Sequence, residues 1–254
     1  MALRARSIDF KGLSAVELRA PDGASAIVTL HGAHVVSWIP AGGAERIFVS
    51  NRSAFAAGQS IRGGIPVVFP QFSKRGPLPQ HGLVRTQPWR MAGEGLFAIS
   101  DNEDTRRFWP HAFAAELAVS LGGARLDVEF RVRNTGASAF PFTAALHSYL
   151  RVSDISKVRL EGLHAQSLVP IDQVFPEAPR ETRLIDAGRT LAIAQRGFRD
   201  SVVWNPGPEG SAARRDMEPD DYRHMLCVEA GAVEIPVVLE AGAAWSGGQT
   251  LTAI

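Results

Sequence analysis

Residues 125–133 read RLDVEFRVR, and they decide the fold class. Leu126, Val128, Phe130 and Val132 alternate with Arg125, Asp127, Glu129, Arg131 and Arg133. A period of two places the apolar side chains on one face of a strand and the charges on the other. Asn134-Thr135-Gly136 then supplies a turn. Shorter runs of the same kind lie at 26–30, 34–39, 46–49, 113–121, 144–150, 157–160, 190–194, 201–204, 225–228, 235–240 and 249–254. No segment carries a long helical stripe with a cap at each end. Residues 50–57 read as a short helix and 216–224 as another turn or two, limited by Pro219. Many short strands separated by Gly, Pro, Asn and Asp turns predict an all-β chain, a sandwich or barrel, and exclude a βαβ layout. Residues 206–219 are the most loop-like, but no linker, internal repeat or low-complexity tract divides the chain, so 1–254 is expected to be one domain.

Composition narrows the class. With 45% hydrophobic and 21% charged residues, the chain is globular and far from the signature of disorder. A net charge of +1 lacks the strongly basic face of a nucleic-acid binder. The first residues, MALRARSIDFKG, contain no apolar export core, and no run is long enough to span a membrane. A single cysteine, Cys227, forms no internal disulfide and suits a reducing cytoplasm; between Leu226 and Val228 it reads as a buried structural thiol.

Charge is unevenly distributed. Between Arg46 and Gly93, a window of 48 residues, there is no Asp or Glu, but there are seven cations: Arg46, Arg52, Arg62, Lys74, Arg75, Arg85 and Arg90. Inside it, residues 61–85 read IRGGIPVVFPQFSKRGPLPQHGLVR, where Gly63, Gly64, Gly76 and Gly82 are interleaved with Pro66, Pro70, Pro77 and Pro79. Glycine permits close approach of backbone to a ligand and proline fixes φ, so the expectation is a stiff loop that points arginines at a small anion. Because the chain has 24 Arg and 3 Lys, any one arginine carries less weight than the acid-free window.

Phosphate-binding, dinucleotide, nucleophile-elbow and zinc signatures are missing from the sequence. His31 and His34 have a metal pair's spacing, but on an extended segment they face opposite sides, and the reading taken is structural. Two polar residues set into apolar strands offer more. In ALHSYL, alternation puts His147 on the face of Ala145 and Tyr149; in MLCVEAG, it puts Glu229 beside Met225 and Cys227, where burial should raise its pKa. Each also fits a plainer reading, His147 as a core histidine bonded to backbone and Glu229 as a strand-end residue reaching solvent. Together they form the minimal kit for proton shuffling.

IRGGIP at 61–66, PLPQHGLVR at 77–85, LHSYL at 146–150, GFRDSVVWNP at 197–206, MLCVEAG at 225–231 and WSGGQTL at 245–251 resemble, in that order, the glucose-6-phosphate 1-epimerases (hexose-6-phosphate mutarotases) of the aldose 1-epimerase superfamily. The resemblance implies a large antiparallel β-sandwich of the galactose mutarotase-like type. It implies catalytic roles for His147 and Glu229, and substrate binding by Arg62, Gln80, His81, Arg85 and Asp172. The match is weakest at Asp172, where Gln173 and Phe175 stand in place of the family's arginine and tyrosine; Gly207 likewise replaces an aromatic. The implied activity is anomer exchange of hexose 6-phosphates without metal or organic cofactor. The implied partner is a small hexose phosphate, not nucleic acid or membrane, for a cytoplasmic monomer or weak dimer. An aldose 1-epimerase for unphosphorylated sugars and a non-catalytic carbohydrate-binding sandwich remain as alternatives.

Overall fold

The computed structural model describes residues 3–254; Met1 and Ala2, part of the N-terminal reading, lie outside the described residues. In chain order the strands are β1 (Arg4–Phe10), β2 (Leu13–Arg19), β3 (Ser25–Thr29), β4 (His34–Ile39), β5 (Val67–Val68), β6 (Arg90–Gly93), β7 (Leu96–Ser100), β8 (Phe113–Gly122) and β9 (Arg125–Asn134). They continue with β10 (Phe140–Leu146), β11 (Tyr149–Arg151), β12 (Arg159–Glu161), β13 (Ile171–Phe175), β14 (Glu181–Asp186), β15 (Arg189–Arg196), β16 (Asp200–Asn205), β17 (Met225–Leu239) and β18 (Ala244–Ala253). Two short helices, α1 (Glu103–Phe108) and α2 (Gly207–Ala212), interrupt them.

The all-β expectation is met. Strands β1 to β4 form a meander; six strands pair around β17, in the order β13-β16-β17-β10-β5 with β11 also on β17; eight pair in the order β12-β14-β15-β18-β9-β8-β7-β6. The RLDVEFRVR strand lies inside the eight-stranded sheet, and its Leu126, Val128, Phe130 and Val132 are buried while the alternate arginines are exposed. Across from it, Phe69 meets Phe113, Phe130 and Phe142 edge-on at 5.2–5.7 Å, tying the six- and eight-stranded sheets into one core.

Several local expectations change. Residues 50–57 form turns instead of a helix, because Ser50 N–H donates to the Arg62 carbonyl and Ser53 Oγ accepts the Arg62 N–H, drawing the segment against IRGGIP. The 216–224 helix shrinks to a 3-10 turn at Asp221–His224. Residues 46–49 make only isolated bridges, and 157–160 runs from the last residue of a 3-10 turn through Val158 into β12. The runs 225–228 and 235–240 belong to one strand, β17. Helix α1 was not anticipated, although Asn102 caps it reciprocally with Thr105 and Glu103 and Asp104 occupy its first turn.

Candidate active site

The run 144–150 is not one strand. It breaks between β10 and β11 at His147 and Ser148, yet the register does not slip: Leu146 pairs with Ala230 and Tyr149 with Cys227. His147 therefore stands opposite Glu229 on β17. Beside the break, His147 N–H donates to the Pro66 carbonyl at 3.1 Å and Tyr149 N–H to the Gly64 carbonyl at 2.9 Å, so IRGGIP serves as its outer support. The glycines of that motif approach the protein's own chain, which corrects the expectation of close approach to a ligand. A Cβ on Gly63 (φ +118) would lie 2.4 Å from the Phe48 carbonyl oxygen, and one on Gly64 (φ +72) 2.3 Å from His34 Nε2.

His147 Nδ1 lies 3.3 Å from Glu229 Oε1, with both side chains buried. The imidazole stacks parallel on Tyr149, centroids 4.7 Å apart and planes 7° apart, and takes the His81 ring edge-on at 5.2 Å. Burial, followed by the nearby Asp172 carboxylate, pushes the Glu229 carboxyl well above its ordinary range. Burial, followed by His81, Arg62 and Arg85, pulls the His147 imidazole well below its own. Burial thus favours the uncharged form of both groups. His81 is held neutral too, at about 3, by burial and by Arg85 and Arg62. Its Nδ1 accepts the Ser73 N–H at 3.3 Å, which leaves Nε2 to carry the ring proton.

Around the pair lies a cavity of about 200 Å³ lined by Arg62, Gln80, His81, Tyr149, Asp172, Trp204 and Arg214 among others. A second, of about 250 Å³, shares Arg62, Gln80, His81 and Tyr149 and adds Arg85 and Asp216. Each residue singled out for catalysis or binding therefore lines one of two adjoining hollows, Asp172 included despite its weak motif. Arg46, Arg52, Lys74, Arg75 and Arg90 line neither.

The acid-free window is not acid-free in space. Asp216 Oδ2 accepts from Arg62 Nε at 3.1 Å and lies 3.0 Å from its Nη2, while Arg62 Nη1 donates to the Tyr149 hydroxyl at 2.9 Å. Glu234 pairs with Arg75 at 2.6 Å. Arg214 is a further cation that sequence reading missed; its guanidinium sits over Trp204, 5.3 Å from the ring centroid, and it belongs to a loop with no motif to mark it. Gly207 holds φ +66, a conformation strained for a residue with a side chain, and a Cβ there would crowd Pro170 at 3.0 Å.

The remaining sequence candidates have structural places. His31 Nε2 and His34 Nε2 each bond a backbone carbonyl, of Gln59 and Gly63, at 2.7 Å. Cys227 is buried against Phe48, Tyr149 and Met225. Among the described residues, no helix is long and apolar enough to cross a membrane.

Comparison with known proteins places this geometry in context. The family model for aldose 1-epimerase matches residues 14–176 and 163–252. A protein of Cenchrus ciliaris named "Putative glucose-6-phosphate 1-epimerase" is 34% identical, over 96% of this chain and 85% of its own. One of the same name from Escherichia coli K12 is 32% identical over 79% of this chain and 77% of its own. The crystal structure of "a putative mutarotase" from Salmonella typhimurium superposes with a TM-score of 0.86 at 27% identity, covering 98% of this chain and 93% of that one. A galactose mutarotase related enzyme from Lactobacillus acidophilus, at 14% identity, shares the fold with a TM-score of 0.73, over 99% of this chain and 97% of its own.

Proposed function

The chain belongs to the aldose 1-epimerase family, and on that premise we propose that it is an isomerase interconverting the α and β anomers of an aldohexose 6-phosphate, glucose 6-phosphate foremost. One observation carries the reading: a buried His147 and Glu229, 3.3 Å apart, face a cavity that adjoins another holding Arg62 and Arg85. The related proteins named for glucose 6-phosphate support the choice of substrate.

In the proposed reaction the phosphate rests on Arg62 and Arg85, displacing the hold of Asp216 on Arg62 by charge-assisted hydrogen bonds. Burial, then His81, Arg62 and Arg85, depress the His147 proton affinity, and a dianion between the two arginines cancels their share. The proton of the Glu229 carboxyl then passes to His147, giving carboxylate and imidazolium. Glu229 takes the proton of the C1 hydroxyl as His147 protonates the ring oxygen, and the C1–O5 bond opens. Rotation about C1–C2 presents the other face of the aldehyde, and closure returns both protons. Gln80, His81 and Asp172 hold the sugar hydroxyls beside the pair. The apolar core, drawing on residues from Val16 to Leu251, supports reading the chain as one folding unit. The buried thiol of Cys227 is in keeping with a cytoplasmic enzyme.

The test is mutarotation of freshly dissolved α-glucose 6-phosphate followed by exchange NMR. Acceleration over buffer is expected; a rate equal to the buffer rate would sink the proposal, and binding without exchange would point to a carbohydrate-binding module. Equal kcat/KM for glucose and glucose 6-phosphate would reassign the substrate to free aldoses.

A further inference from the structure

We propose that Gln249, on the sheet opposite the active site, is a positioning residue for His147 and Glu229, because its side-chain amide bridges Ser148 and Val228 where the strand ladder between them is broken. The inference rests on the function proposed above. In a continuous antiparallel ladder, residues 148 and 228 would form a pair exchanging two backbone hydrogen bonds. Only one survives, from Val228 N–H to the Ser148 carbonyl at 3.1 Å. Ser148 N–H turns back to the Leu146 carbonyl at 3.0 Å, which makes the kink that interrupts β10 and β11. The Val228 carbonyl, deprived of that donor, receives Gln249 Nε2 at 2.9 Å, and Gln249 Oε1 accepts the Ser148 hydroxyl at 2.5 Å.

The placement has a consequence for catalysis. Ser148 follows His147 and Val228 precedes Glu229, so one amide spans the neighbours of both. Side chains alternate along a strand, which sends His147 and Glu229 toward the cavity and Ser148 and Val228 toward the core. Gln249 comes from β18 of the eight-stranded sheet, where its backbone partners are Val128 and Gln195, and it is 2% exposed. A buried glutamine whose two bonds both go to the opposite sheet costs stability unless those bonds are kept, and keeping them fixes the width of the gap. The His147 to Glu229 separation is set across that gap.

The proposal is tested with Gln249→Leu, which keeps the bulk and removes both bonds, and with Ser148→Ala, which removes only the hydroxyl. With wild-type protein active, Gln249→Leu is expected to lower kcat about 10-fold or more while KM for glucose 6-phosphate stays within about 2-fold, since small misplacements of reacting groups cost rate before affinity. A folded Gln249→Leu protein with lowered Tm but wild-type kcat would overturn the proposal, leaving Gln249 a purely structural residue. Where Gln249→Leu does not fold, Ser148→Ala decides in the same way: a fall in kcat at constant KM supports positioning, and a wild-type kcat refutes it. If wild-type protein shows no anomerase activity, the proposed function fails instead, and the imidazole nitrogen NMR signals of His147 decide. A shift between wild type and Ser148→Ala supports the role, and identical signals refute it.

Discussion

His147 stands opposite Glu229 across a two-residue interruption in the pairing of β10 and β11 with β17, and their side chains meet at 3.3 Å. The His147 and Tyr149 N–H groups face away from β17 and donate to the Pro66 and Gly64 carbonyls on the other side, and the imidazole lies flat on Tyr149. The imidazole and carboxyl of the proposed acid–base pair lie in contact within this structure.

On the proposed roles, removing either member is expected to stop the chemistry and spare the binding. His147→Ala and Glu229→Gln are each expected to lower kcat about 10²- to 10⁴-fold. The double variant should be no worse than the poorer single one, because the two act as a unit. Exchange NMR measures the rates, and calorimetric titration with glucose 6-phosphate shows whether affinity persists.

Arg62 and Arg85 line the hollow next to the pair, and Arg62 is held by Asp216 and Tyr149. Alanine at either arginine is expected to raise KM for glucose 6-phosphate about 10-fold or more, the loss of a charge-assisted contact. kcat/KM for free glucose should move by less than about 3-fold. Equal losses for both sugars would remove the arginines from phosphate recognition.

Burial first, then His81 and the field of those arginines, lowers the proton affinity of His147. A bound dianion opposes that field, so the histidine keeps its proton to higher pH. The basic limb of the kcat profile is accordingly expected at higher pH for glucose 6-phosphate than for glucose, and inorganic phosphate should accelerate turnover of glucose. Superimposable profiles would show that phosphate contributes binding alone.

Stability should fall on mild acidification. His34 and His81 are held to about 3 in the folded protein, chiefly by burial. An unfolded histidine takes up its proton near pH 6.5, so each site's contribution is complete above that value and is lost as pH falls toward 3. At pH 5 the loss is about 2 kcal/mol per histidine. Urea midpoints at pH 7 and pH 5 measure it, and His34→Gln should flatten the dependence.

Gly63 holds φ +118 with no room for a Cβ against Phe48. Gly63→Ala is expected to cost about 2 kcal/mol or more from strain and clash together. Thermal unfolding reads the loss directly, and an unchanged Tm would show that the motif relaxes freely.

Much of the site was legible in the chain because strand alternation is a local rule. His147 with Tyr149, and Glu229 with Cys227, share faces in ALHSYL and MLCVEAG whatever they pack against. Asp172 was legible only through the family resemblance, against neighbours that depart from it, yet β13 pairs it with Trp204 of β16 and brings it to the cavity. Asp216 and Arg214 were not legible at all: α2 and the turn after it carry no motif, and Asp216 meets Arg62 from 154 residues away. Helix α1 had a readable cap in Asn102 to Thr105, overlooked because its six residues are too few to show a helical stripe.

Local pattern alone specified an all-β chain, His147 and Glu229 as polar residues set into apolar strands, and a cation-rich loop, since period, turn chemistry and composition act over a few residues. Tertiary structure decided which charges remain available. The window without acids acquires Asp216 from a distant connection and Glu234 from β17, and the break at His147 is filled by Gln249 from the opposite sheet. Ion pairs and buried hydrogen bonds are chosen by distance in space, and that distance exists only after the sheets have packed.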